Sequence, residues 1–243
     1  MNNLPQLTAE TGAAAPFIFY TIAKRKGATD QVIGKRFLGC GFSINSRGWL
    51  ATCRHLFDGM SVDEEFVVGH GTTIQCYIPQ DIRLHPSLDI ALVRIDLPWV
   101  PIPAFKRPLL MGEHAAAFGL TFSKKAGVML HASPKFLAGH VSCTVSVNDS
   151  GHLTNLPFYE LSFPAISGFS GCAVLHLEDG FYTLAGMIFG NVRSEIIESS
   201  KSEVVDGNLH FSERVSRIWE GAAAHTIATL LSSFKDLSVD AEW

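Results

Sequence analysis

The sequence predicts an all-β protein: two antiparallel β-barrel-like halves followed by one C-terminal α-helix. Three observations carry this. Short runs rich in aromatic and β-branched residues recur along the chain, separated by Gly, Asn and Asp turn signals. Four prolines, at 98, 101, 103 and 108, interrupt that pattern near the middle. Proline cannot donate to a sheet ladder, so this stretch reads as a linker. A 3.6-residue apolar period occurs only near the end, at Ala223, Ile227, Leu230, Leu231 and Phe234. Periodicity alone leaves barrel and sandwich both open.

Residues 1–16 read as an N-terminal arm. Strands are expected at 17–22 and 36–44, the second with Gly39 and Gly41 marking a close backbone approach or a bulge. Asn45-Ser46-Arg47-Gly48 is a turn signal, and Trp49–Thr52 completes a hairpin. Runs at 66–68, 73–78 and 90–95 continue the first half, 17–97. The linker is 98–111. The second half, 112–220, holds strand runs at 114–118, 127–131, 140–147, 158–163, 173–177 and 182–189, with turns at Gly151 and Asp179-Gly180. Residues 193–207 are polar and aperiodic and read as a mobile loop. The last segment, 221–243, is a helix over 222–234 and a tail. There is no repeat of 20–50 residues.

Of the 243 residues, 47% are hydrophobic and 17% charged, which excludes disorder. The net charge of −4 provides no bulk counterion-release term, so no nucleic-acid partner is expected. The one dense basic cluster, Lys24-Arg25-Lys26, reads as a solvated turn. No membrane association is expected. The longest uncharged run, 161–177, is too short to span and is broken by Pro164, Gly168 and Gly171. No signal peptide is expected either, since the apolar stretch 13–23 precedes the positive charges rather than following them. Five cysteines without a CxxC pair point to free thiols in a reducing compartment, the cytoplasm.

Three stretches can carry chemistry. Trp49-Leu50-Ala51-Thr52-Cys53-Arg54-His55 delivers a His at a strand end. In His85-Pro86-Ser87-Leu88-Asp89-Ile90-Ala91-Leu92-Val93 an Asp opens an apolar strand. Gly168-Phe169-Ser170-Gly171 sets a Ser between glycines in a turn. Each alone reads most simply as an ordinary strand end or turn. Together, in the order His, Asp, Ser and on the two sides of a proline linker, they match the needs of nucleophilic catalysis. A serine hydroxyl is a poor nucleophile at pH 7. It needs a base within hydrogen-bond reach, and the base needs an orienting carboxylate. Gly168 lets the chain turn so that its own N–H and that of Ser170 point into one pocket, where an oxyanion is stabilised. The ten His show no HExxH and no close Cys/His quartet, so no metal site and no cofactor are expected.

These stretches resemble the chymotrypsin-like serine proteases, and within them the short intracellular-type trypsin-like peptidases of microbes. The matching segments run from Gly41-Phe42-Ser43-Ile44 through Leu50 to His55, Asp89-Ile90-Ala91-Leu92, Gly112 to Gly119, and Gly168 to Val174, to Ala185-Gly186-Met187-Ile188-Phe189-Gly190. The resemblance implies two six-stranded antiparallel β-barrels with a C-terminal α-helix. It implies a triad of His55, Asp89 and Ser170 and an oxyanion hole at Gly168 and Ser170. It puts a substrate-pairing strand near 188–191. The implied pocket walls are 164–167 and 189–191, with Ala165, Ile166, Ser167, Ile188, Phe189 and Gly190 facing substrate.

The departures are informative. Gly39 and Leu56 stand where secreted relatives carry a disulfide beside the His. Phe169 replaces the Asp that zymogen-type relatives use on activation. Cys172 is expected to pack as a small hydrophobe. Pro164 replaces the Asp that selects Lys or Arg, and the Ile188 strand lacks the His of glutamate-preferring relatives. A small or medium apolar side chain before the scissile bond is therefore expected.

The expected function is a serine endopeptidase acting on a protein or peptide substrate, with a regulatory protein partner as a further expectation. The alternatives are a catalytically silent binding module and an effector activated when a partner orders the oxyanion turn or the 193–207 segment. An esterase is a weaker alternative, since the α/β-hydrolase pattern needs a GxSxG elbow and the order Ser, Asp, His, and neither is present.

Overall fold

The computed structural model describes residues 18–25, 36–70, 76–97, 101–124, 130–145, 156–205 and 208–241. The first half is a seven-stranded sheet of β1 (Ile18–Arg25), β2 (Arg36–Ser43), β3 (Trp49–Thr52), β4 (Glu64–His70), β5 (Cys76–Tyr77), β6 (Asp81–Leu84) and β7 (Ala91–Arg94). Its order is β5-β4-β1-β2-β3-β7-β6. The second half is a closed barrel of β8 (His114–Lys124), β9 (Leu130–Val145), β10 (Phe158–Leu161), β11 (Ala173–Glu178), β12 (Phe181–Val205) and β13 (Asn208–Thr226), in the order β10-β13-β12-β11-β8-β9. A one-turn helix α1 (His55–Asp58) follows β3, and α2 (Ile227–Asp236) ends the fold. The choice between sandwich and barrel is thus decided for the barrel in the second half. The first half has one strand more than expected and remains an open sheet.

Local chemistry explains the hairpin that leads to the site. The Asn45 side chain accepts the N–H groups of Arg47 (3.0 Å) and Trp49 (3.2 Å), closing the turn between β2 and β3. Its amide donates to the Asp240 carbonyl at 2.8 Å, tying the C-terminal tail to the same turn. The two halves share one core. Phe42, Ala51 and Leu92 of the sheet pack with Ala116, Leu175 and Met187 of the barrel and with Leu230 and Phe234 of α2. Each buried Phe, Leu or Met side chain among them contributes about 1.5–3 kcal/mol. Gly41 marks a close backbone approach, because a β-carbon there would stand 2.8 Å from the Ala51 carbonyl.

Four elements differ from the sequence expectations. Of the 193–207 segment, residues 193–205 are strand rather than loop: β12 and β13 pair from Gly186↔Thr226 to Val205↔Asn208. Among the described residues β10 meets β13 over 222–225 and β11 meets β12 over 181–187, and beyond these β12 and β13 pair with each other as a two-stranded ribbon. There the two strands satisfy each other's backbone through their own ladder, which needs no apolar period. The helix starts at Ile227 rather than 222. Ala222 to His225 belong to β13, held between β10 and β12, and Thr226 caps α2 by accepting the Thr229 N–H at 3.2 Å. β6 alternates between half-buried and exposed positions and so lacks an apolar run. Lys24 and Arg25 end β1 against Glu65 and Glu64 rather than forming a turn.

Of the proline-rich linker, residues 101–111 are described. They pack against β12, with the Leu184 N–H donating to Pro103 (2.7 Å) and the Phe105 N–H donating to Leu184 (2.8 Å). The expectations at 1–17, 71–75, 98–100, 127–129 and 146–155 lie outside the described residues. No described helix is long and apolar enough to cross a membrane. Cys40, Cys53, Cys143 and Cys172 are free thiols.

Candidate active site

His55 is the first residue of α1, immediately after β3, and Asp89 lies on the 85–90 loop between β6 and β7. That loop closes on itself. The His85 N–H donates to the Ile90 carbonyl (2.9 Å), and His85 Nδ1 accepts the N–H groups of Leu88 (3.0 Å) and Ser87 (3.3 Å). Arg54, the neighbour of His55, donates to the carbonyls of His85 (2.6 Å) and Pro86 (2.8 Å). The loop therefore presents Asp89 to His55 as a pre-ordered unit.

Asp89 Oδ1 accepts the His55 backbone N–H at 2.8 Å, and Oδ2 accepts Nδ1–H at 2.6 Å. A carboxylate only accepts, so Nδ1 carries the proton and Nε2 of the neutral ring is left as the base. The bond from Asp89 holds the His55 pKa above its ordinary value, against the opposing effect of burial. Burial pushes Asp89 upward, but the side-chain and backbone bonds from His55 outweigh it and the carboxyl lies below its ordinary value.

Ser170 lies in a turn that the first half of the molecule shapes. The Cys40 N–H donates to the Ser170 carbonyl (2.8 Å), and the Gly171 N–H donates to Ile188 of β12 (2.8 Å). Gly168 and Gly171 have φ of +94° and +86°, the left-handed region that favours glycine. A β-carbon on Gly168 would also collide with the Phe37 ring, and one on Gly171 with the Cys40 carbonyl. Within the turn, the N–H groups of Phe169, Gly171 and Cys172 are bonded to the carbonyls of Ile166, Ile188 and Phe169. Those of Gly168 and Ser170 have no hydrogen bond among the described residues.

Gly39 brings the two halves of the site together. A β-carbon there would stand 2.6 Å from the Ser170 carbonyl and 2.9 Å from Leu56 Cδ1, Leu56 being the residue after His55. The Leu56 side chain thus fills the place over Gly39 where secreted relatives were expected to carry a disulfide. Beneath, the Cys53 thiol donates to the Ile188 carbonyl at 3.3 Å. Cys53, His55 and Asp89 bring potential metal-ligand atoms within 4.8 Å of one another. Burial first, and the Asp89 charge second, push the Cys53 thiol well up, so it is a neutral donor rather than a thiolate ligand. His55 Nδ1 is engaged by Asp89. In this structure the thiol and Nδ1 are thus both engaged in hydrogen bonds.

The expected pocket residues flank this turn. Ala165 and Ile166 are half-buried and Ser167 is exposed on one side; Phe189 and Gly190 are half-buried on the other. Ile188 is fully buried and meets the Ser170 turn through its backbone, donating to the Cys172 carbonyl at 2.9 Å. Cys172 packs in the core, as expected of a small hydrophobe.

Sequence reasoning reaches Asn191 only as the end of a pocket wall, without its bonds, and misses His225 altogether. Asn191 of β12 reaches across to Ala165, accepting its N–H at 2.7 Å and donating to its carbonyl at 3.0 Å. His225 of β13, 1% exposed, stacks on Phe189 with ring centroids 4.4 Å apart and lies close enough to Asp89 to feel its charge. Its Nε2 is buried with no hydrogen-bond partner among the described residues. Burial pushes its pKa down to about 4. Nothing in the sequence distinguishes His225 from the other scattered His, because its role arises only where β13 passes under the Asp89 loop.

The family model of the trypsin-like peptidase domain matches residues 39–183, more than half of the chain. In structure, the chain is similar to the active form of the Rv3671c protease from M. tuberculosis: 13% identity, TM-score 0.55, covering 95% of this chain and 84% of that one. It is similar to the HtrA-type protease AlgW, solved with a decapeptide: 19% identity, TM-score 0.58, covering 93% of this chain and 65% of that one. It is also similar to the serine endoprotease from Yersinia pestis: 17% identity, TM-score 0.55, covering 92% of this chain and 63% of that one. The chain thus spans just under two thirds of these last two. At such identities the likeness shows the fold alone. A search of curated proteins returned no match.

Proposed function

This chain belongs to the trypsin-like peptidase domain family, and we propose that it is a serine endopeptidase cleaving peptide bonds through Ser170, His55 and Asp89. One observation carries the proposal: both Asp89 oxygens hold His55, at 2.8 and 2.6 Å, in the tautomer a general base requires. Ser170 Oγ attacks the scissile carbonyl while His55 Nε2 takes its proton. The developing oxyanion is met by the N–H groups of Gly168 and Ser170, the two turn amides with no other hydrogen bond among the described residues. His55 returns the proton to the leaving amine, leaving an acyl group on Ser170. Water, deprotonated by His55, then hydrolyses the ester and restores the enzyme. Asp89 keeps Nδ1 protonated and stabilises the imidazolium in both halves. Every proton is accounted for by these groups and water.

The substrate would lie along β12. Beyond Met187 this strand has no β11 partner among the described residues, so an extended peptide can add to its edge. Phe189 and Gly190 would pair with that peptide. Ala165, Ile166 and Ser167 would flank the side chain preceding the scissile bond, an apolar one.

The test is intact mass after incubation with a fluorophosphonate, for the wild type and Ser170→Ala. A single adduct on the wild type alone is the expected result. A folded wild type that takes no adduct would overturn the reading in favour of a binding module or a partner-activated effector.

A further inference from the structure

We infer that Asn191 closes the pocket beside Ser170 and confines the residue before the scissile bond to the smallest side chains: Gly, Ala and Ser. This rests on the peptidase reading and sharpens its substrate class from small or medium apolar to small alone.

The argument starts from the two chain segments that flank the serine turn. Residues 164–167 lead directly into Gly168, and β12 is bonded to the turn through the Gly171 N–H and the Ile188 carbonyl. A substrate side chain next to the attacked carbonyl must enter between them. That gap is bridged. The Asn191 carboxamide accepts the Ala165 N–H at 2.7 Å and donates to the Ala165 carbonyl at 3.0 Å. It meets both groups of one residue as a neighbouring strand would, so the separation of the walls is set by the reach of a single Asn side chain.

The far side of the gap is held as well. The Ala222 N–H of β13 donates to the Phe163 carbonyl at 2.7 Å, and Ala222 is the β13 partner of Asn191. Segment 163–165 is therefore bonded to both strands of the β12–β13 pair. No side chain of 163–167 or 188–192 is charged, so nothing here compensates a Lys, Arg or Glu. A Leu or Phe would have to displace the carboxamide and leave the Ala165 peptide groups unpaired. A single methylene in an apolar pocket changes kcat/KM by roughly 10–200-fold, so this obstruction reads out as selectivity.

The experiment compares cleavage of matched peptides with Ala, Leu or Phe before the scissile bond, by wild type, Asn191→Gly and Asn191→Ala. A separate aliquot of each protein is labelled with a fluorophosphonate, and the Tm of the unlabelled protein is recorded. The wild type is expected to favour Ala over Leu at least tenfold in kcat/KM. Asn191→Gly, which removes the obstruction, is expected to shift that ratio at least tenfold toward Leu, with Asn191→Ala between. The inference is overturned if wild type cleaves after Leu or Phe as fast as after Ala. It is equally overturned if Asn191→Gly takes the label on Ser170 but keeps the wild-type ratio. A wild type that takes no label brings down the peptidase reading itself, and this inference with it. If Asn191→Gly does not fold, the wild-type ratio and Asn191→Ala decide the matter.

Discussion

Asp89 grips His55 at two points, Oδ1 on the backbone N–H at 2.8 Å and Oδ2 on Nδ1–H at 2.6 Å. One bond fixes where the ring is attached and the other fixes its tautomer. Asp89→Asn keeps the shape but can present its NH2 to Nδ1, forcing the proton to Nε2 and removing the base. The expected loss is about four orders of magnitude in kcat, by analogy with the same change in a known serine-protease triad. Steady-state kinetics beside a thermal melt checks this. A loss below tenfold in a folded variant would deny Asp89 its role.

The raised pKa of His55 sets the acid side of the pH profile. Catalysis needs the neutral ring, so activity falls as pH drops through a value above 6.5, the ordinary one. Asp89→Asn removes the main cause of the elevation, so the acid limb of its residual activity shifts to lower pH. The stability effect runs the other way. Pairing of His55 with Asp89 stabilises the fold fully below about 6.5 and is lost as pH rises through the raised value. The rate of fluorophosphonate labelling against pH reads the acid limb directly; a flat rate from pH 5 to 8 argues against His55 as base.

His225 titrates in a separate window. Its folded pKa is pushed down to about 4 by burial, against an ordinary 6.5. A depressed His destabilises the fold on acidification: stability is complete above about 6.5 and falls as pH drops toward 4. The loss is on the order of 3 kcal/mol, from 1.36 kcal/mol per pKa unit. Chemical denaturation at pH 7 and pH 4.5 measures it. In His225→Gln the difference is expected to shrink by more than half. An unchanged difference would assign the acid sensitivity to other groups.

Gly39→Ala tests how the two halves share the site. The new β-carbon would stand 2.6 Å from the Ser170 carbonyl and 2.9 Å from Leu56. One of the two must move, at a cost of about 1–3 kcal/mol. The expected result is fluorophosphonate labelling slowed at least tenfold, with a lowered Tm. Labelling at the wild-type rate would mean that the turn absorbs the strain without moving Ser170.

How much of this was legible in the sequence differs from element to element. The Asn45 turn, Trp49–Thr52 and the Asp179-Gly180 hairpin are local: their side chains bond or strain their own backbone, so short windows reveal them. The distal parts of β12 and β13 are stabilised by each other across the ribbon, which no window contains. The helix start was misplaced because Ala222, Ala223 and Ala224 continue a helical pattern while their backbone groups are claimed by β10 and β12.

The site divides in the same way. By itself the sequence determined which residue types could do the chemistry and their order: a His at a strand end, an Asp opening an apolar strand, a Ser between glycines. Those are properties of single segments, where turn chemistry and backbone freedom act over a few residues. Only the tertiary structure decided that Asp89 meets His55 with both oxygens, that Gly39 lies under both Ser170 and Leu56, that His225 lies against the Asp89 loop, and that Asn191 bridges to Ala165. Each of these joins positions 17 to 136 residues apart, and a contact over such a span exists only once the shared core has brought the strands together.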